Sequence, residues 1–429
     1  MLERFLSDSF RRLVKATLKD AEAFLRAKES EDFSRDRQRI RDELLCQVET
    51  LPNDARLAED YLVAAVDGSG HERLLARDDL RFHLLSTATV YLDSNTRNGV
   101  PFQPVPRDQL ESAIGEQPSL DIHWHSGTRQ DTLTKVAESI QSIYSGRSPN
   151  ELIAQFLEER RSSNSRSSGV SETRRVGHLE RPDTMEDLIS RPWSLSHSMI
   201  HDELRRVSEL AAARRAIMST MKPKYLMLDG SMSVFLDPHD KLPLMPSGFM
   251  LRELSSLARK ENVILCAVSK RHTIPFAHKI AQLAADRFGK NSKWFCFLPG
   301  NEDPGGVLHI YEEHAYIPPY LAVPYLFSFS ATNRPSRIDF DRLWWKKNIF
   351  VEGDADATRE NEMSLFRDLE FMSRDARWYG YPVALALAHE TCKVSFSDIQ
   401  LAREICSDVL HELGLDSRIA NEPREDYGL

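Results

Sequence analysis

One pattern, met twice, constrains this chain more than anything else in it. Tyr61-Leu62-Val63-Ala64-Ala65-Val66-Asp67-Gly68-Ser69 is an apolar run that ends on an acid, a glycine and a hydroxyl; Tyr225-Leu226-Met227-Leu228-Asp229-Gly230-Ser231 repeats it. Continuous apolar runs of this length suit strands buried on both faces. A glycine directly after the acid lets the backbone turn sharply and leaves the carboxylate exposed at the strand end. Two such acids on neighbouring strands would sit close enough to share a divalent cation, which prefers carboxylate oxygens. A single Asp-Gly-Ser reads as readily as a plain turn. Two copies with the same apolar lead-in argue for a site.

The rest of the chain supplies an α/β setting for these strands. Residues 1–48 read as helical, with Leu2, Phe5, Leu6, Phe10, Leu13, Val14 and Leu18 at helical spacing and a second helix over Arg35 to Val48. From Tyr61 the period changes: Leu62–Val66, Leu80–Leu85 and Thr87–Leu92 read as strands. Helical pattern returns over residues 132–160, then gives way to a Ser/Arg-rich stretch, 160–176, with almost nothing apolar to bury. Ser198–Met221 is helical and leads into the second acid-bearing strand. Ser247 can cap the helix that follows, and Val263–Val268 is a strand closing on Ser269-Lys270-Arg271. Phe276–Phe288 reads as helix; Trp294–Leu298, Val307–Tyr311 and Tyr325–Ser330 read as strands. A helix over Thr358–Trp378 precedes Tyr379-Gly380-Tyr381-Pro382 and the apolar run Val383–Ala388, with His389 at its end. Asp398–Leu413 closes the chain as a helix, with Ser397 or Asp398 as cap and Gly414 as stop. Alternation of strands and helices with short joins indicates α/β architecture.

Composition excludes several classes. At 429 residues with 41% apolar side chains the chain can bury a substantial core and is not a disordered protein. Cysteines 46, 266, 296, 392 and 406 form no CxxC pair, which disfavours zinc ribbons and disulfide frameworks. No apolar run approaches the ~20 residues of a membrane span, and residues 1–20 carry charges throughout, so a cytoplasmic protein is expected. The net charge of −9 offers no global attraction to nucleic acid. The pair His123 and His125 places two rings on one side of a strand, a spacing that can bind metal, but no third ligand lies nearby in sequence.

Four blocks taken in order resemble the NurA nuclease family: Val66-Asp67-Gly68-Ser69, Leu226-Met227-Leu228-Asp229-Gly230-Ser231, Val268-Ser269-Lys270-Arg271, and Gly380-Tyr381-Pro382 leading to Ala388-His389. The resemblance spans about residues 60 to 400. It implies a ribonuclease H-like mixed sheet flanked by helices, with a helical N-terminal extension (1–55) ahead of a nuclease domain (56–429). The insertion at about 95–190 departs from the family pattern. It further implies a Mn²⁺- or Mg²⁺-dependent DNA nuclease, cutting 5′→3′ and possibly also as a single-strand endonuclease. Such a protein acts as a homodimer beside a HerA-type hexameric translocase ATPase, in DNA end processing or anti-phage defence. By motif, Asp67 and Asp229 would hold metal, and Tyr381 and His389 would match the C-terminal tyrosine and histidine. The family's helix-borne glutamate falls on Glu209, with Glu203 as the alternative.

The residues make chemical sense without the family. Phosphodiester hydrolysis needs a water made nucleophilic at neutral pH and stabilisation of the leaving oxygen; divalent ions held by two or three carboxylates supply both. Oxygen ligands select Mg²⁺ or Mn²⁺, and one histidine shifts the preference toward Mn²⁺. His389 could be that ligand or a proton donor, and Lys270 could hold the scissile phosphate as a point charge. A haloacid-dehalogenase-like phosphatase is disfavoured, because Ser231 stands where its second acid belongs. The remaining alternative is a catalytically silent nuclease-like scaffold. Acids at strand ends argue against it, since like charges held together are costly without a cation.

Overall fold

The computed structural model describes residues 48–52, 60–77, 80–94, 102–126, 129–144, 197–232, 246–270, 272, 277–298, 322–330, 335–375, 377–378 and 380–415, with parts of 11–22 that are helical. Among the described residues, ten strands form one sheet. In chain order they are β1 (Val48–Thr50), β2 (Leu62–Arg77), β3 (Leu80–Asp93), β4 (Gln103–Pro104), β5 (Ser119–His125), β6 (Tyr225–Asp229), β7 (Ile264–Ser269), β8 (Trp294–Phe297), β9 (Ala322–Ser328) and β10 (Ser336–Asp341). The described helices are α1 (Arg107–Ile114), α2 (Arg129–Ile143), α3 (His197–Met218), α4 (Pro246–Lys260), α5 (Ala277–Phe288), α6 (Arg342–Asn348), α7 (Ala355–Phe371), α8 (Val383–Cys392) and α9 (Phe396–Glu412).

The sheet runs β1-β8-β9-β10-β7-β6-β2-β3-β4, and β5 also pairs with β3. One end of it is an antiparallel meander, β2-β3-β5, followed inward by β6 parallel to β2 and β7 parallel to β6. That is the ribonuclease H-like arrangement that the motif resemblance implies, widened by the antiparallel strands β10, β9, β8 and β1. Parallel strands need crossovers, and α3 and α4 supply them.

The two acid-bearing strands are buried on both faces, as their unbroken apolar runs require. On one face Ala64, Val66, Leu226 and Leu228 pack under α3 and α4 with Val207, Leu210, Met250 and Leu254. On the other, Val63, Ala65, Tyr225 and Met227 pack against Phe366 and Leu369 of α7 and Val383 and Leu385 of α8. Period-2 alternation then fixes where the next side chains go. Asp67 and Asp229 continue the second set and so face the layer that contains α8.

Several expectations shift. β2 does not end at Asp67 but runs on to Arg77, because β3 stays paired beside it (Asp67 opposite Ala88, Gly68 opposite Thr87, Ser69 opposite Ser86). The two strands read over Leu80–Leu85 and Thr87–Leu92 are one strand, β3. Val48, read as a helix end, lies in an edge strand paired with Cys296 of β8. The strand read at Val307–Tyr311, the second N-terminal helix up to residue 47, and the Ser/Arg-rich stretch lie outside the described residues. No described helix is long and apolar enough to cross a membrane.

Candidate active site

Asp67 stands where β6 parts from β2. The parallel pairing of the two strands covers Val63–Val66 and Tyr225–Leu228, so Asp67 and Asp229 are each one step beyond it, side by side on adjacent strands. After Asp229 the chain leaves the sheet through Gly230, whose φ of +100° suits glycine and strains any other residue. The loop is braced from a strand that sequence reading missed. Asp339 of β10 accepts from the Ser231 hydroxyl at 2.7 Å and from the Met232 N–H at 3.0 Å, while its other oxygen is held by the buried Arg337 at 2.6 Å. The hydroxyls of the repeated pattern are therefore structural: Ser231 is tied to Asp339, and Ser69 accepts from the Val394 N–H at 3.4 Å.

The remaining groups arrive from helices on opposite sides of the sheet. From the α8 side, His389 Nδ1 lies 2.8 Å from Asp67 Oδ2, and the Tyr381 hydroxyl donates to Asp229 Oδ1 at 3.2 Å. From the α3 side, Glu209 reaches in over Gly68. A Cβ at Gly68 would stand 2.6 Å from Glu209 Oε1 and 2.9 Å from its Cγ, so the glycine is needed for this approach. Arg205, one turn earlier on α3, donates to Glu209 Oε1 at 2.5 Å and reaches the Gly68 carbonyl at 3.4 Å. Lys270, just past β7, sets its ammonium 3.8 Å from the centre of the Tyr381 ring. All six candidates named from sequence, Asp67, Glu209, Asp229, Lys270, Tyr381 and His389, thus meet at one end of the central strands.

Glu203 does not join them. It is buried on the same helix and accepts the Ser247 N–H and hydroxyl, both at 2.8 Å. Ser247 is therefore inside the first turn of α4 rather than its cap, and Glu203 caps that helix from a distance. Two residues at the centre carried no recognisable sequence signal. Arg205 looked like any helical arginine, and Cys392 follows an apolar run in which a buried cysteine is unremarkable. The Cys392 thiol and the ligand atoms of Asp67 and His389 all lie within 4.8 Å of one another.

Electrostatics mark the cluster. Burial, then the neighbouring Asp67 charge, raises Glu209 to about 7 although Arg205 pulls it down. Loss of hydration and Asp67 also raise Asp229, against the Tyr381 hydrogen bond and Lys270. Burial first, and then the Asp229 charge, pushes the Tyr381 hydroxyl far up, so it stays protonated as a donor. Burial and Asp67 likewise keep the Cys392 thiol protonated. Two carboxylates raised by burial and by a neighbouring acid suit a centre that takes up a cation. The donor set of carboxylate oxygens with one imidazole fits Mn²⁺ or Mg²⁺.

No family model matches this chain, and no curated protein does. Among solved structures it is similar to the NurA nuclease from Sulfolobus solfataricus, with 13% identity over 93% of this chain and 97% of that one and a TM-score of 0.45. A NurA structure bound to dAMP and manganese has 11% identity over 91% and 94% of the two chains, with a TM-score of 0.31. Ciona intestinalis endonuclease V in complex with inosine-containing DNA has 9% identity over 85% and 95%, with a TM-score of 0.28. At such distances function has to be read from the site itself.

Proposed function

We propose that this chain is a divalent-metal-dependent deoxyribonuclease. The observation that carries the proposal is the convergence of Asp67, Asp229 and Glu209, from two strands and a helix, with His389 bonded to Asp67. Asp67, Glu209, Asp229 and His389 would hold Mn²⁺ or Mg²⁺. When bound, the metal supplies a water nucleophilic at neutral pH and neutralises charge building on the phosphate.

The chain's own groups do the rest. Arg205 holds Glu209 in place across Gly68, and Tyr381 holds Asp229. The hydrogen bond at His389 Nδ1 fixes the ring and leaves Nε2 for a ligand or for giving a proton to the leaving oxygen. Lys270 places a positive charge at the mouth, where it can meet the scissile phosphate. The substrate class, DNA, the 5′→3′ exonuclease mode with single-strand endonuclease activity beside it, and action as a homodimer with a HerA-type hexameric ATPase follow from the motif resemblance. A net charge of −9 supports the ATPase partnership, because DNA affinity unaided requires clustered lysine and arginine.

The test is degradation of a 5′-labelled duplex in Mn²⁺ by wild type and Asp229→Ala, each with and without a HerA-type ATPase. Cleavage by wild type that disappears in Asp229→Ala supports the proposal. Equal cleavage by both would remove the assigned site, and no cleavage under any condition would leave a scaffold protein.

A further inference from the structure

The His123/His125 pair gains in the fold the partners it lacked in sequence. On β5 these residues face β3, with His83 directly opposite His123. Over the same sheet face lies the start of α3, which carries His197 and His201 one helical turn apart. Four rings form a series: His201 to His83 at 5.5 Å between centroids, His83 to His125 at 5.1 Å, and His125 to His197 at 5.1 Å, with interplanar angles of 24°, 25° and 18°.

His125 Nδ1 lies 3.5 Å from the Ser126 carbonyl and His125 Nε2 lies 3.5 Å from His197 Nδ1, but other ring nitrogens of the cluster lack partners. His83 is fully buried, and neither of its ring nitrogens has a hydrogen-bond partner among the described residues; His201 Nδ1 and His123 Nε2 are in the same position. A neutral imidazole is one donor and one acceptor, so burying both unpaired is unfavourable unless something else binds there. Burial lowers His83 to about 3 and lowers His123, His125, His197 and His201 as well, so at neutral pH these rings carry the free lone pair that a metal requires.

We propose that His83, His125, His197 and His201 form a second metal site, for a Zn²⁺-class transition ion. Imidazole suits such ions, whereas the carboxylate centre suits Mg²⁺ or Mn²⁺. His197 Nδ1 and His125 Nε2 are 3.5 Å apart. Two nitrogens bound to one tetrahedral zinc at about 2.0–2.1 Å would stand roughly 3.4 Å apart. The other rings are face to face rather than converging; the described donor trio already within 4.8 Å is Asp67, His389 and Cys392. Binding therefore includes rotation about χ2, which is a broad, soft torsion in histidine. The site is separate from the carboxylate centre. His83 lies five residues along β3 from Ala88, which faces Asp67, a distance of about 17 Å. An ion here would pin the start of α3 to β3 and β5, two turns upstream of Glu209.

The full chain, stripped of metal, should be titrated with Co²⁺ as a spectroscopic stand-in. The expected result is the visible d–d absorption of a tetrahedral nitrogen site, displaced by Zn²⁺. It should persist in Asp67→Asn, and it should weaken at least tenfold in affinity in a His197→Asn/His201→Asn double variant. Those two histidines are only part-buried, so the variant should fold, which circular dichroism checks. Zn²⁺ should also raise the melting temperature of Asp67→Asn but not of the double variant. Absence of the tetrahedral spectrum, its survival at full affinity in the double variant, or its loss in Asp67→Asn would each overturn the site.

Discussion

Glu209 is the acid that reaches the centre from a helix, and burial and the Arg205 charge act on it in opposite directions. Its pKa rises from 4.5 to about 7 on folding, chiefly through desolvation. An acid with a raised pKa holds its proton more tightly in the folded state. Its stabilising contribution is thus complete below about pH 4.5 and is lost as pH climbs through 7. The loss amounts to about 3 kcal/mol at most. Metal-free protein should therefore become easier to unfold by urea between pH 5 and 8. Glu209→Gln should flatten that slope and remove the stabilisation given by Mn²⁺; an unchanged slope would mean that the carboxylate is already relieved in solution. Gly68→Ala probes the same residue from the other side. The new Cβ would meet Glu209 at 2.6 Å, and the contact is with a movable side chain. Stability should change by less than about 1 kcal/mol while activity falls on the order of 100-fold, because misplacing a reacting group by ~1 Å costs that much. A matched loss of folding and activity would contradict this. Asp67 and Asp229 were legible in sequence because a repeated pattern announced them. Glu209 and Glu203 were not separable, since both lie on one amphipathic helix and only tertiary packing decides which one faces Gly68 and which one faces Ser247.

That packing belongs to the scale of elements, where Glu203 ties two helices together. Its carboxylate satisfies the N–H and hydroxyl of Ser247 in the first turn of α4, and it sits at the positive end of that helix. Glu203→Ala should cost about 2–3 kcal/mol by leaving a buried N–H unpaired. It should leave Mn²⁺ binding by the folded protein unchanged, whereas Glu209→Ala should lose binding and keep stability. The opposite pattern, read by calorimetry and denaturation on both variants, would exchange the two assignments. Elements with strong periodicity were readable: α3, α4, α5 and the central strands lie close to where the sequence places them. What failed was termination. Gly68 looks like a turn, yet β2 continues because its antiparallel neighbour keeps pairing with it, and no local signal reports a neighbour. β10 was missed for a related reason. Ser336–Asp341 alternates charged and apolar residues, and Arg337 and Asp339 are buried only because they pair with each other and with the loop after Asp229.

At the scale of the whole molecule, the closing helix α9 has two apolar faces. Ala402, Cys406 and Leu410 turn inward toward Leu74 and Leu75 of β2, Ile399 is buried, and Arg403 is anchored on the Leu74 and Arg73 carbonyls at 3.1 and 3.0 Å. A row that winds round the outer side of the helix presents Leu401, Ile405 and Val409 at 57%, 56% and 46% exposure, followed by Leu413 at 68%. These side chains recur every four residues and form a continuous stripe. A sequestered stripe of this kind is worth roughly 25 cal/mol per Å² of apolar area removed from water. A second copy of this chain is the occupant that agrees with the homodimer implied by the motif resemblance. Two copies of the stripe related by a twofold axis would be self-complementary. The wild-type chain should then run as a dimer in light scattering coupled to gel filtration. A single Ile405→Lys substitution should give folded monomers whose melting temperature is lower than that of the wild type, because the stabilisation given by pairing is lost. A monomeric wild type, or a dimer untouched by Ile405→Lys, would place the dimer contact elsewhere and leave α9 as the docking face for a different protein. Because α8 and α9 are joined by Lys393, Val394 and Ser395 alone, with Val394 bonded to Ser69 beside Asp67, pairing through α9 would set two carboxylate centres in a fixed relation. Two strands of one duplex could then be engaged together, and Ile405→Lys should lower cleavage of duplex more than cleavage of single strands.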